Sequence, residues 1–414
     1  MNEQIKQRIN QLNNGEVPIG YEKTEIGTFP VGWKTTTLDK LLEFKNGVNA
    51  DKEKYNSGVK MISVMDILTD SPIYYDKIKG QVDIDEKTLD TYSVTYGDIL
   101  FQRSSETFED AGKSNVYLDQ DRTATYSGFV IRGKKKADYN PYFLNEALRI
   151  GQVRNQIIRN AAGSQHINVG QDSLAKIIVP LASDVEQSNI AEILMKWDEA
   201  IELQEEFLHT LEIKRMAILQ SFFSKEKCSN WIKLSDYVKE VSNRNNIGCQ
   251  NVKSVSNKNG FIDQSSQFSK QVASEDVSKY KVVTKDCIAY NPSRINVGSI
   301  AIYNEDTPGI VSPMYVVFKC VNMDPRFLLL LLETARGKYE VKSYLSGSVR
   351  DSLAFEDLKS IELAVPPKEK WGEIVDILNI IDAQYSLYND KLSFLKRQRK
   401  ALQQYLLNGI VRVK

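Results

Sequence analysis

Apolar residues recur in alternating steps of four and three along two stretches of this chain. One runs from about Asp184 to Phe223, through Ile190, Leu194, Trp197, Ile201, Gln204, Leu208, Leu211, Arg215, Ile218 and Phe222. The other runs from about Glu373 to Leu407, through Ile374, Leu378, Ile381, Tyr385, Tyr388, Leu392, Leu395, Arg399, Leu402 and Leu406. This stepping is the heptad seam of a coiled coil. Neither stretch holds a Pro. The two ladders match position by position at an offset of 184 residues, down to one Arg in each seam. About 40 helical residues span about 60 Å, so the pattern predicts two long, related helices.

Between the ladders the period shortens. Residues 31–182 open on Trp33-Lys34 and a strand-like Thr35–Leu38. They continue through β-rich runs at Lys60–Val64, Asp98–Gln102, Ser114–Leu118 and Ser127–Ile131, punctuated by Asn46-Gly47, Ser57-Gly58 and Tyr96-Gly97-Asp98. A Pro-first helix is expected from about Pro141 to Asn160, then a strand Lys176–Val179 stopped by Pro180. Residues 228–366 repeat the order. Trp231–Leu234 matches the opening, Lys285–Tyr290 matches Gly97–Gln102, and Val311–Phe318 matches Tyr126–Ile131. A helix from about Pro325 to Tyr344 matches 141–160, and Leu363–Pro366 matches Ile177–Pro180.

The expected organisation is therefore a helical tail and linker (1–30), a first module (31–182), a first long helix (183–227), a second module (228–366) and a second long helix (367–414). Leu12-Asn13-Asn14-Gly15 echoes Leu406-Leu407-Asn408-Gly409, which suggests that the N-terminal segment packs near the end of the second helix. The predicted fold class is α+β: two similar mixed α/β globular modules separated by two long helices. Those helices form an antiparallel coiled coil, giving pseudo-two-fold symmetry.

Charge changes the picture only locally. Lys plus Arg equals Asp plus Glu at 54 each, so net charge carries no nucleic-acid footprint. The first long helix (183–227) is net −5 and the second (367–414) net +4, which suits them to pair with each other. Four scattered Cys and two His offer neither a disulfide frame nor a metal centre. No apolar run is long enough for a membrane span, and the polar start resembles no export signal, so a cytoplasmic location is expected.

Several short words resemble those of the specificity subunits of type I restriction–modification systems. They are Thr24-Glu25-Ile26-Gly27 with Pro30 and Gly32-Trp33, then Tyr96-Gly97-Asp98-Ile99-Leu100, and Gly163-Ser164-Gln165. In the second half they are Tyr290–Ser299, Gly309–Pro313 and Phe355-Glu356-Asp357-Leu358. The resemblance covers nearly the whole chain. It implies that each module is a target-recognition domain reading one half of a bipartite double-stranded DNA sequence, with the helices setting the unread spacer. It also implies a subunit without catalysis or cofactor. Such a subunit binds two modification subunits, which carry the adenine methyltransferase, and through them the restriction subunits that translocate and cut DNA. Two alternatives stand beside this one: the specificity subunit of a type IIB-like enzyme, and a coiled-coil scaffold without DNA contact.

The chemistry of a self-sufficient enzyme is missing. Tyr290-Asn291-Pro292-Ser293 approaches the Asn-Pro-Pro-aromatic word of adenine methyltransferases, but Ser293 and Arg294 stand where that word needs Pro and the aromatic platform. There is no GxxxxGK[ST] loop. Base edges are read by Arg, Lys, Asn, Gln and hydroxyl side chains on exposed loops. The candidates are Arg103, Ser104, Lys113, Gln165 and His166 in the first module, and Arg244, Asn245, Arg294, Asn296 and Arg350 in the second. The run Arg132, Lys134-Lys135-Lys136 is expected on a loop, solvated or against phosphate.

Overall fold

The computed structural model describes residues 3–257, 260–264, 276–346 and 352–413. The chain packs as two compact units, residues 1–205 with 391–414, and residues 206–390. Each unit holds one module together with part of each long helix.

In the first unit a four-stranded antiparallel sheet runs in the order Leu42–Asn46, Val130–Lys135, Ile99–Gln102, Ser114–Val116. All four residues of Ile99–Gln102 are buried, because both faces of the sheet are covered. Ile99, Phe101 and Ile131 point into a core shared with the helices, while Leu100 and Val130 point into a second core with Tyr117 and Tyr126. This is the period-two alternation of a strand, with apolar residues on both sides.

The second unit repeats the sheet as Val238–Glu240, Val316–Cys320, Cys287–Tyr290, Ile300–Ile302. Ile288, Tyr290 and Phe318 enter one core, and Cys287, Ala289 and Val317 the other. A two-stranded pair closes each unit, Lys34–Thr37 with Ile178–Leu181 in the first and Asn230–Lys233 with Glu362–Val365 in the second.

The long helices span Asp184–Phe222 and Trp371–Leu407. Their segments pair antiparallel within each unit. In the first, Arg399 Nε donates to Asp198 at 2.7 Å and Lys396 pairs with Glu205 at 2.6 Å. In the second, Arg215 pairs with Asp382 at 2.5 Å, Tyr385 donates to Glu212 at 2.9 Å, and Phe207 meets Tyr388 edge-on. Both seam arginines thus find acids across the helices. Residues of the long helices also plug the module cores: Ile190, Leu194, Leu406 and Leu407 in the first unit, and Leu219, Ile374, Leu378 and Ile381 in the second.

The N-terminal segment folds back onto the end of the second helix, as the repeated Leu-Asn-Gly words suggest. Tyr21 donates to the Gly409 carbonyl and Arg8 to the Ile410 carbonyl. Gly409 has φ +63°, and a Cβ there would run into Pro30, so only glycine fits this junction. Among the described residues, no helix is long and apolar enough to cross a membrane.

Several expectations need correcting. The helix expected over 141–160 is two helices, Pro141–Ala147 and Gly151–Arg159, because Ile150 turns extended to start the second. The helix expected over 325–344 likewise breaks at Thr334 into Pro325–Glu333 and Ala335–Ser346. There the Thr334 hydroxyl accepts the Gly337 N–H at 3.0 Å. The edge strand does not stop at Pro180 but includes it, paired with Thr35; a Pro is tolerated on an edge. Residues 132–135 are strand rather than loop, and Arg132 is buried with its guanidinium on the Ser93 carbonyl.

Two of the internal matches slip in register. Trp231 does not correspond to Trp33. Leu38 N–H donates to Ile177 O and Leu234 N–H to Ile361 O, which aligns Trp231 with Thr35 and leaves it on the surface. The aromatic partner that Trp33 gives Phe143 is given to Phe327 by Trp371, at the start of the second long helix. The Gly97–Gln102 match shifts by one residue. Gly97 and Asp286 both take positive φ. Asp98 accepts the Thr95 N–H, as Cys287 Sγ accepts the Thr284 N–H. Cys287 is therefore the counterpart of Asp98.

Candidate nucleic-acid interface

In both units the exposed loop that joins the third and fourth sheet strands is anchored alike. In the first, residues 103–113 leave Ile99–Gln102, and Gln102 N–H donates to the Lys113 carbonyl at 2.8 Å. In the second, residues 291–299 leave Cys287–Tyr290, and Asn291 N–H donates to the Ser299 carbonyl at 3.0 Å. A second segment crosses each loop base: Val169 N–H donates to Arg103 O at 3.0 Å, and Leu353 N–H to Pro292 O at 3.0 Å. The frame is held by backbone bonds, so the loop side chains can differ between units without cost to the frame.

The first unit gathers four of its five candidates. Ser104–Ser105 pairs with Ile167–Asn168, which brings Arg103 and Ser104 beside the exposed Gln165 and His166. Ser104 Oγ donates to Asn168 Oδ1 at 2.5 Å. Arg103 donates one N–H to the Gly128 carbonyl at 3.3 Å, leaving the rest of its fork for another acceptor. Lys113 lies at the far foot of the loop, exposed and paired with Asp110 at 2.6 Å. Asn168 belongs to the cluster and was missed, because a lone Asn before Val-Gly carries no pattern. Arg154 was missed too; its fork holds the carbonyls of Glu109, Ala111 and Gly112 and so fixes the loop from beneath.

Asp98 starts the strand that delivers Arg103. Burial pushes its carboxyl above the usual range, although it accepts the N–H groups of Thr95 and Lys135. Its task is to hold backbone.

In the second unit, Arg294 and Asn296 are exposed on the loop, around a short turn of 3₁₀ helix at Ile295–Val297. The Arg294 backbone is clamped: its N–H donates to Asn291 O and its carbonyl accepts the Ser299 N–H. Arg244 is exposed, and its backbone pairs antiparallel with that of Lys281 at a separate edge. Asn245 is buried. Its carboxamide donates to Cys249 O at 2.8 Å and accepts the Cys249 N–H at 2.9 Å, so its polar atoms serve the loop 245–249. Arg350 lies outside the described residues.

Residues 30–212 and 235–397 each match the model of the type I restriction modification DNA specificity domain. The "Putative type I restriction enzyme MjaX specificity subunit" of Methanocaldococcus jannaschii is 25% identical, over 95% of this chain and 97% of its own. The crystal structure of a type I restriction-modification system S subunit from M. genitalium superposes with a TM-score of 0.55 at 16% identity, over 91% of this chain and 96% of its own. A structure from work on complex assembly and conformational transition of the type I R-M system superposes with a TM-score of 0.53 at 13% identity, over 92% and 99%. The superpositions speak for the fold. The domain model, matched over most of the chain, speaks for more: this chain belongs to the type I restriction–modification DNA specificity family and carries its specificity domain twice.

Proposed function

We propose that the chain recognises a bipartite DNA target, each unit reading one half-site through its strand-joining loop and the segment that crosses it. The observation that carries this reading is the doubled frame: one sheet and one set of loop anchors recur, while the exposed side chains on the loops diverge. The readers are Arg103, Ser104, Gln165 and His166 in one unit, and Arg294 with Asn296 in the other. Lys113 and Arg244 are basic and exposed at the margins and suit phosphate contact. Arg350 matches His166 in the sequence repeat, at an offset of 184 residues, and joins the readers by that match alone. The proposed boundaries of the reading modules remain 31–182 and 228–366.

The subunit has no catalytic centre of its own. It assembles in the cytoplasm with modification and restriction subunits, which supply methylation, translocation and cleavage. Near-zero net charge fits a subunit whose partners share the grip on DNA.

The test is a methylome of the host before and after residues 31–182 are exchanged for the matching segment of another specificity subunit. One half of the methylated sequence should change and the other stay. Methylation unaltered by the exchange, or by loss of the gene, would sink the reading. At finer grain, Arg294→Ala should weaken binding by about 1–3 kcal/mol, through one half-site only.

A further inference from the structure

Next to each strand-joining loop stands a tight turn whose tip is a large apolar side chain in solvent. In the first unit the turn is Ser127–Val130, closed by Val130 N–H to Ser127 O at 2.9 Å. Its tip is Phe129, 65% exposed. In the second it is Ser312–Tyr315, closed by Tyr315 N–H to Ser312 O at 3.0 Å. Its tip is Met314, 58% exposed. Each turn leads into the same strand of the repeated sheet, Val130–Lys135 or Val316–Cys320. A single exposed hydrophobe needs no explanation. One at the same turn position in two modules of divergent sequence does.

Both tips are rigidly mounted. Ser127 N–H donates to the Ile62 carbonyl at 2.9 Å, and the Phe129 carbonyl accepts the Arg103 N–H at 3.0 Å. A Cβ on Gly128 would run into Asn49 Oδ1, and one on Gly47 into the Ser127 carbonyl, so the turn backbone is packed on two sides. In the second unit Lys281 Nζ donates to the Tyr315 carbonyl at 2.8 Å.

Both tips also stand beside a cation. The Arg103 guanidinium lies on the Gly128 carbonyl at 3.3 Å. Lys281 Nζ adjoins Met314 through the Tyr315 carbonyl, and its backbone pairs with that of the exposed Arg244. A phosphate-seeking charge next to a stiff apolar projection suits a duplex, where charge finds the backbone and apolar surface finds bases.

We propose that Phe129 and Met314 are base-contacting fingers, one per unit, which bury their apolar surface against a thymine methyl or a partly unstacked base step. Both sources offer the same apolar chemistry, and Phe and Met are residue types that wedge between steps. The inference rests on the reading of both units as DNA-binding. It adds a recognition element that carries no hydrogen-bonding group.

The experiment uses the assembled methyltransferase complex and its own target duplex, with Kd measured across salt. Phe129→Ala should weaken binding roughly ten-fold, and Met314→Ala roughly five-fold. An apolar contact releases no counterion, so the slope of log K against log salt should hold, whereas Arg103→Ala should flatten it by about one ion. The Phe129→Ala loss should vanish on a duplex whose corresponding half-site is scrambled, and the Met314→Ala loss on a duplex scrambled in the other half. Phe129→Leu should recover most of the affinity. Met65→Ala, at an exposed residue of the same unit, should change nothing. Thymine-to-uracil replacement should reproduce the loss if the finger sits on a methyl, and 2-aminopurine fluorescence should rise on binding if it wedges a step. Specific binding that survives Phe129→Ala and Met314→Ala undiminished would overturn the fingers while leaving the DNA reading intact. A loss with no response from either base probe would overturn base contact. A wild-type complex that shows no preference for the target would remove both claims together.

Discussion

Each compact unit places an arginine at the same position of its helix pair, and the two live in different surroundings. Arg399 meets Asp198 at 2.7 Å and Glu146 at 2.7 Å, and the Glu146 side chain is 1% exposed. Arg149 and Gln403 bond the same carboxylate, at 3.1 Å and 2.8 Å. Arg215 meets Asp382 at 2.5 Å and Glu333 at 2.6 Å, where the Glu333 side chain is 38% exposed. Each arginine ties its partner helix and its module together: Glu146 and Glu333 lie on matching module helices, Pro141–Ala147 and Pro325–Glu333. The lesson is that an identical triad of residue types is worth different amounts of stability according to the water around it. A charge pair in water is screened, and one sealed from water cannot lose a partner cheaply.

The largest contrast comes from tryptophan. Trp33 is buried, stacked on Phe29, and donates to Glu186 at 2.9 Å. Trp33→Ala should destabilise its unit by about 3–5 kcal/mol in urea unfolding. Trp231→Ala, at the position its sequence suggested as equivalent, should fall within about 0.5 kcal/mol, since Trp231 is exposed. Equal losses would erase the register correction.

Next come the arginines. Arg399→Met strands a buried carboxylate that keeps only part of its partners and should cost about 3 kcal/mol. Arg215→Met should cost about 1 kcal/mol, because its acids can turn to solvent. Similar values at 1 M salt and at 0.1 M would hold for Arg399 alone; strong salt dependence there would contradict the burial of its Glu146 partner.

The smallest effect is on pH. Burial pushes the Glu186 carboxyl up, but hydrogen bonds from Arg412 and Trp33 outweigh it, and the carboxyl sits below its ordinary 4.5. A lowered folded-state pKa adds stability above the unfolded value, and that stability is lost as pH falls through the folded one. The first unit should therefore lose stability through this residue as pH falls below the ordinary glutamate value, and Glu186→Gln should remove that part of the slope. Lys370 stands at the position 184 residues on from Glu186, so this particular carboxylate has no counterpart in the second unit.

These contrasts mark what could be read in advance. The heptad ladders were legible because their period repeats over ten positions each, and the seam arginines were legible as exceptions within it. The doubled module was legible from the order of strands and turns. Asn245 shows the limit: an Asn beside an Arg on a turn-rich stretch reads as a base reader, yet its amide is turned inward on Cys249. Arg132 failed the same way, since a basic run says nothing of which side chain faces the sheet. Phe129 and Met314 carried no sequence signal, because an apolar residue in a β-rich run is by default a core residue.

The sequence by itself determined the periodicities, and with them the long helices, the repeat and the family. Those features are local or summed over many residues, so no single misplaced contact can undo them. Only the tertiary structure decided the register between the repeats, which arginine meets a buried carboxylate, and which apolar side chains remain in solvent. Each depends on what the opposite surface supplies, and residues far apart in the chain supply it.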